Sequence, residues 1–258
     1  MEYSREFNSK GYVLIPNFFS EEQSSSIVRF ANNLQDWKEE AFKWMIYYES
    51  SGDDIKKKAR IENFLSYHNE LNTFITEKIT PLASDIYGEP LTLFKEKLNW
   101  KLAGGKGFKA HQDQPAWTDF PCKKYVTVVL FADNSTIDNG CLEIAEVSEK
   151  VTEVLDYDTH GTGQLDKNLE ESLNWNPITA TPRDILLFDS YVIHRSDINT
   201  TKRSRRHFYF TYNPLSDGSV YDEYLKQKRE LFPPDIERDK KTNYNIMGNK
   251  YNLANPIK

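Results

Sequence analysis

The chain offers few groups able to bind a metal or attack a substrate: 5 His and 2 Cys among 258 residues. His111 stands two residues before Asp113; on a strand, that spacing projects an imidazole and a carboxylate to the same face. His194 closes the apolar run Asp184-Ile185-Leu186-Leu187-Phe188-Asp189-Ser190-Tyr191-Val192-Ile193 and can bring a third ligand from another strand. Two imidazoles and one carboxylate on one side of a metal leave its other positions open, which suits non-haem Fe(II) working with a co-substrate and O2. A lone His-x-Asp pair is weak evidence, because such pairs recur by chance and more often hydrogen-bond at a surface. The added signal is Arg205, eleven residues after His194 and at the start of a predicted strand. A guanidinium there can grip a co-substrate carboxylate through two parallel hydrogen bonds.

The other reactive types read as structural. His68 falls in a predicted helix and His160 in a polar loop, both solvated or locally bonded. His207 shares the interior face with Arg205 and is expected to support the fold. Arg203 and Arg206 read as a solvated face, although a register error would make either of them the clamp. Gly104-Gly105-Lys106-Gly107 lacks the Gly-Lys-Ser/Thr sequence of a phosphate loop and reads as a turn. Trp44 to Tyr48 and Trp100 read as core, Lys56-Lys57-Lys58 as a solvated helix face, and Cys122 and Cys141 as unreactive thiols. Two thiols without Cys-x-x-Cys spacing fit a reducing cytoplasm.

The positioning elements follow from periodicity. Gly11 to Pro16 reads as a short strand, and Ser20 with Gln23 forms a capping-box signature before a helix over 20–35. A helical reading extends over 55–87, with an apolar stripe of Leu65, Leu71, Phe74, Ile75, Ile79 and Leu82 and a stop at Gly88. From residue 91 the period becomes two: Phe94, Leu98 and Trp100 share one face, with Glu96 an exception, and Lys95, Lys97, Asn99 and Lys101 the other. Further strands are predicted over 107–112, 125–132, 141–146, 184–189 and 204–212. Helices first and strands afterwards predict an α+β chain with a mainly β core, in one domain spanning 1–258: a mostly helical flank (1–90), a barrel or jelly-roll core (91–215), and a C-terminal helix and tail (216–258).

Composition excludes other classes. A net charge of −6 argues against a general nucleic-acid binder, and no apolar run is long enough to span a membrane. The start, MEYSREFNSKG, has no apolar core of a secretory signal. The expected partner is a small molecule, and the expected state a monomer or homodimer.

The segments HQD at 111–113, DNGCLEI at 138–144 and H-x-S-x-x-N-x5-R from His194 to Arg205 resemble the phytanoyl-CoA dioxygenase-like family of Fe(II)/2-oxoglutarate oxygenases. GYVLIPNFFS, RIENF at 60–64 and KRELFPPDIER at 228–238 extend the resemblance over nearly the whole chain. It implies a double-stranded β-helix, a cupin-like jelly roll, with flanking N-terminal helices. It also implies that His111, Asp113 and His194 bind Fe(II), that Arg205 and Ser196 hold 2-oxoglutarate, and that Asn99, Lys101 and Thr127 point towards co-substrate or substrate. Halogenating members lack the metal carboxylate; Asp113 is present here, which implies hydroxylation with O2 and release of succinate and CO2. The segment 93–117 is similar to that of a subgroup acting on 2-aminoethylphosphonate and its trimethylated analogue. That similarity makes an organophosphonate the leading substrate, and Gln114, Trp117 and the cationic residues near the mouth candidates to touch it. A free amino acid, a compatible solute or a natural-product intermediate is the alternative, and a non-catalytic metal-binding sensor is the alternative from another class. A metal-dependent isomerase or hydrolase is disfavoured, because no third His lies near the His-x-Asp strand.

Overall fold

The structure is a computed structural model and describes residues 2–51, 55–155, 164–239 and 241–244. His160 and the end of the charged tail lie outside these residues. Two antiparallel sheets face each other. The larger uses β1 (Tyr12–Ile15), β2 (Met45–Ser51), β3 (Ile55–Glu62), β4 (Leu91–Lys101), β6 (Val126–Phe131), β9 (Ile185–Asp189) and β11 (Arg205–Pro214), ordered β1-β9-β6-β11-β4-β3-β2. The smaller uses β5 (Phe108–His111), β7 (Leu142–Glu146), β8 (Asn174–Ile178) and β10 (His194–Ser196), ordered β5-β10-β7-β8. This is the jelly roll expected, with side chains of both inner faces filling the space between.

Helices α1 (Glu2–Lys10) and α2 (Glu21–Asp36) pack outside the larger sheet, with α3 (Asn69–Phe74), a π-helical stretch (Ile75–Ile79) and α4 (Thr80–Tyr87). The capping box forms as read: Gln23 N donates to Ser20 Oγ at 3.2 Å, and Ser20 N donates to Gln23 Oε1 at 3.1 Å. Ile27, Phe30, Ala31 and Leu34 then face the core. Two short helices, α5 (Lys167–Ser172) and α6 (Tyr221–Leu231), follow later in the chain.

The helical reading of 55–87 needs correction at its start. β2 (Met45–Ser51) and β3 (Ile55–Glu62) pair antiparallel, and β3 joins β4. The apolar stripe began only at Leu65, so nothing in 55–62 supported a helix; Met45-Ile46-Tyr47-Tyr48 has strong strand preference and recruits its partner by pairing. Lys58, placed on a solvated helix face, instead caps the end of α2: its Nζ donates to the carbonyls of Leu34, Gln35 and Trp37 at 3.1, 2.9 and 2.8 Å.

The face assignment of β4 also changes. An irregularity in its pairing with Thr211 and Tyr212 interrupts the alternation at Phe94. Leu98 joins the core under the helices, whereas Phe94 packs with Trp117, Tyr125 and Tyr224 on the other side. Lys95, Lys97, Asn99 and Lys101 keep their common face, and it points inward.

Candidate active site

His111, the last residue of β5, lies directly opposite His194, the first of β10, in the antiparallel register. Their rings sit 4.2 Å apart, centroid to centroid. Asp113 is not on the strand. The chain turns at it (φ −75°, ψ −31°) into the 3-10 turn Gln114–Trp117, which curls the carboxylate back so that Oδ1 lies 4.0 Å from His111 Nε2. One ligand atom from each residue falls within 4.8 Å of the others. Gln112, between them, points away and fixes the surrounding loops: Nε2 donates to Tyr191 O at 2.7 Å and Glu153 O at 3.0 Å, and Oε1 accepts from Leu155 N at 2.9 Å.

The donor set fits Fe(II). His111 Nδ1 is bonded to Lys109 O at 2.6 Å and His194 Nδ1 to Val192 O at 3.0 Å, so each Nδ1 carries the proton and each Nε2 lone pair faces the cavity. Burial pushes His111 down to about 3, with His194 adding to the effect, and burial also lowers His194; both rings are neutral and ready to ligate at pH 7. Burial alone would raise the Asp113 carboxyl, but His194, Lys95 and Lys97 outweigh it and hold the group below the usual range.

Beside the triad lies the cation end expected for a co-substrate. Arg205 is buried on β11; its Nη2 donates to Gly140 O at 2.6 Å and its Nε to Asn139 O at 3.3 Å, in the Asp138-Asn139-Gly140 turn. Its Nη1 also donates to the His207 ring, and burial with this cation keeps His207 neutral. Lys101 Nζ donates to Ser196 Oγ at 2.8 Å and Gly140 O at 3.1 Å. Gly140 has φ +68°, and a Cβ there would meet Lys101 and Asp197 O, so only glycine allows this approach. A Cβ at Gly107 would likewise collide with Ser196 O. Asn199 builds the loop before Arg205, donating to Lys101 O at 3.0 Å and Arg203 O at 2.8 Å. Arg206 turns outward to pair with Asp133 at 2.9 Å, and of Arg203, Arg205 and Arg206 only Arg205 lines the cavity of the triad.

A cavity of about 120 Å³ joins these groups. His111, Asp113, His194, Ser196 and Arg205 line it, as do Asn99, Lys101 and Trp117. Two expected residues do not. Gln114 is buried against Ser190, whose Oγ donates to Gln114 Oε1 at 2.7 Å, because the turn after Asp113 rotates it away. Thr127 does face inward, in the cross-strand row Lys95–Thr211–Thr127–Phe188, but its hydroxyl is bonded to Thr211 at 3.0 Å and is 2% exposed.

Sequence reasoning missed the opposite end of the cavity. Lys95 and Lys97 share the polar face of β4 with Asn99 and Lys101, so the same period-two reading could have found them. Their ammonium groups make no hydrogen bond or ion pair to any described residue; Lys95 lies 4.2 Å over the Trp117 ring and Lys97 5.0 Å over Tyr209. Burial lowers Lys95 to about 8, with Asp113 and Glu62 opposing, and burial with the neighbouring Lys95 and Arg60 lowers Lys97 well below its ordinary value. Arg60 and Glu62 from β3 and Lys228 from α6 complete this end, and no local pattern linked them.

Residues 7–207 match the family model described as Phytanoyl-CoA dioxygenase (PhyH). The chain belongs to this family. It is 40% identical over 260 residues to a 2-aminoethylphosphonate dioxygenase of an uncultured bacterium (HF130_AEPn_1), covering 100% of this chain and 98% of that one. It is 34% identical over 228 residues to a methylphosphonate hydroxylase of Gimesia maris, covering 88% and 85%. In fold it is similar to EctD of S. alaskensis, solved with 2-oxoglutarate and 5-hydroxyectoine (TM-score 0.68, 18% identity, 84% of this chain and 76% of that one). It is also similar to the epimerase SnoN, solved with Fe3+ and α-ketoglutarate (TM-score 0.68, 17% identity, 85% and 87%). The chain is therefore an Fe(II)- and 2-oxoglutarate-dependent dioxygenase acting on a small molecule. No helix among the described residues is long and apolar enough to cross a membrane.

Proposed function

We propose that this enzyme uses O2 to hydroxylate a C–H bond of a small organophosphonate of the 2-aminoethylphosphonate type. The observation that carries the reading is the pair Lys95 and Lys97: two buried lysines, without an acidic hydrogen-bond partner among the described residues, facing the His111–Asp113–His194 triad across a small cavity, where an arriving dianion favours their charged forms. Leaving two ammonium groups desolvated and unpaired is costly, so a ligand that brings two negative charges is favoured there. A phosphonate does so and places its α-carbon beside the triad. Arg60, Glu62, Lys95, Lys97 and Lys228 make the lining of this end charged, which does not suit a fatty acyl substrate.

In this reading His111, Asp113 and His194 hold the iron. When bound, the metal couples oxidative decarboxylation of 2-oxoglutarate by O2 to hydroxylation of the substrate, with succinate and CO2 as co-products. Arg205 and Ser196 hold the distal carboxylate of 2-oxoglutarate. Lys101 orients Ser196 and adds positive charge; burial and the nearby Arg205 lower its pKa to about 7, and an arriving carboxylate favours its charged form. Asn99, which accepts from Arg60 Nε at 3.0 Å, fixes the boundary between the two ends. Trp117, 1% exposed, forms an apolar wall that limits water. Two buried free thiols, Cys122 and Cys141, fit a cytoplasmic enzyme.

The test is succinate formation by the Fe(II)-loaded enzyme with 2-oxoglutarate and single candidate substrates, with the organic product identified by mass. We expect succinate coupled one-to-one to a hydroxylated phosphonate. Turnover driven by ectoine or a free amino acid, with none driven by phosphonates, overturns the substrate reading.

A further inference from the structure

Two segments that carried no assigned role in the sequence, RIENF and KRELFPPDIER, meet in the cavity wall. Glu62 stands at their meeting point and is 2% exposed. Its Oε1 lies 3.5 Å from Arg60 Nη1 and 3.4 Å from Lys228 Nζ, and its Oε2 accepts from Tyr224 OH at 3.0 Å. Burial alone would raise this carboxyl. Lys228, Arg60, Lys95 and Lys97 outweigh burial and hold it down to about 2, so it is a fixed negative charge at every pH the enzyme meets. The other two carboxylates lining the cavity cannot take this role: Asp113 belongs to the triad, and Glu49 interacts with Lys106 and Lys101 at a different place. Tyr224 and Lys228 lie beyond the residues matched by the family model, so this wall is completed by α6, outside the common core.

We propose that Glu62 is a specificity-determining residue that sets the charge the pocket accepts: by occupying Arg60 and Lys228 it leaves Lys95 and Lys97 as the two lysines of this end without a carboxylate partner, to be held in the charged form by the ligand. That arrangement receives a compact dianionic head, alone or carrying an ammonium group, and discriminates against a phosphonate with a further carboxylate. A cation already saturated by a buried carboxylate offers little to a ligand, whereas an unpaired one at the same depth offers the full charge-assisted interaction. The inference rests on the phosphonate reading above and adds the reason for its charge preference.

The experiment measures binding of methylphosphonate, 2-aminoethylphosphonate and phosphonoacetate to the full chain loaded with Fe(II) and 2-oxoglutarate under nitrogen. The wild type is expected to bind the first two more tightly than phosphonoacetate. Glu62→Gln frees Arg60 and Lys228, and phosphonoacetate should gain about tenfold relative to methylphosphonate. The double variant Glu62→Gln/Lys228→Met removes one freed cation and should return the ratio most of the way to wild type, a reversal that a merely structural role would not produce. Should Glu62→Gln fail to fold, Lys228→Met alone, which leaves Glu62 less neutralised, should shift the ratio in the opposite direction. An unchanged ratio in the folded variants sinks this inference while leaving the phosphonate reading intact. Absence of any phosphonate binding or turnover in the wild type sinks that reading itself.

Discussion

At one end of the cavity two histidines face each other across neighbouring strands, an aspartate follows one of them within two residues, and an arginine follows the other on the next long strand. At the other end Arg60, Glu62, Lys95, Lys97 and Lys228 arrive from two strands of the larger sheet and a helix near the end of the described chain. In the reading proposed above, the first end performs a reaction that is the same for every substrate, and its groups are locked by backbone bonds: Nδ1 atoms on carbonyls, Arg205 on Asn139 and Gly140. In the same reading the second end recognises one substrate. Its groups are held by one another, through a buried carboxylate and aromatic rings, and two of them are left unpaired. A fixed chemical centre joined to a wall of separately replaceable charges lets substrate preference change without disturbing metal or co-substrate binding.

The largest effects should come from the metal end. His111→Ala or Asp113→Ala is expected to retain the circular dichroism of the fold yet lose Fe(II) on gel filtration, by metal analysis, and with it all measurable turnover. Arg205→Met removes charge-assisted hydrogen bonds worth about 1.5–3 kcal/mol each, so KM for 2-oxoglutarate should rise about 100-fold while phosphonate affinity stays near wild type. Lys95→Met or Lys97→Met should do the reverse: kcat/KM for phosphonate falls about 10- to 100-fold and KM for 2-oxoglutarate is unchanged. If a lysine variant and the arginine variant weakened both ligands equally, the division of the cavity into two ends would be wrong.

Stability against pH gives a smaller contrast within the same strand region. Glu96, on the other face of β4, accepts from Leu65 N and Tyr221 OH, and burial pushes it up to about 7. Its folded value exceeds the ordinary one of 4.5, so its contribution to stability is complete below that value and fades as pH rises through 7. Glu62, held down to about 2 among cations, behaves oppositely: its contribution is complete above 4.5 and is lost as pH falls towards 2. Thermal melts from pH 3 to 8 should therefore show Glu96→Gln flattening the loss between pH 5 and 8, and Glu62→Gln flattening the loss on the acid side. Thr127→Val should have the least effect on catalysis. It leaves Thr211 without its buried partner at a cost of about 1–3 kcal/mol in stability, with turnover within about twofold of wild type.

Much of the molecule could be read from the chain before folding was considered. The capping box at Ser20, the limits of the strands read from residue 91 onward and the structural character of His207 follow from local chemistry, and the structure agrees, but the short strands β8 and β10 were not read. Two readings that treated a strand as uninterrupted failed. Phe94 sits at a pairing irregularity, and Asp113 lies past the end of β5 in a turn, where alternation no longer sets direction. Gln114 was misjudged for the same reason, since a turn and not a strand decides where it points. The pairing of β2 with β3 escaped because a strand with little apolar alternation of its own is stabilised by its neighbours in the sheet.

What the sequence determined by itself was the class of reaction: the segments around His111, Asp113, His194 and Arg205 carry the resemblance to the family whose model the chain matches. What only the tertiary structure decided was the charge pattern facing the substrate. Arg60, Glu62, Lys95, Lys97 and Lys228 look like ordinary surface charges along the chain, and only burial in a common cavity reveals which of them cancel and which remain free.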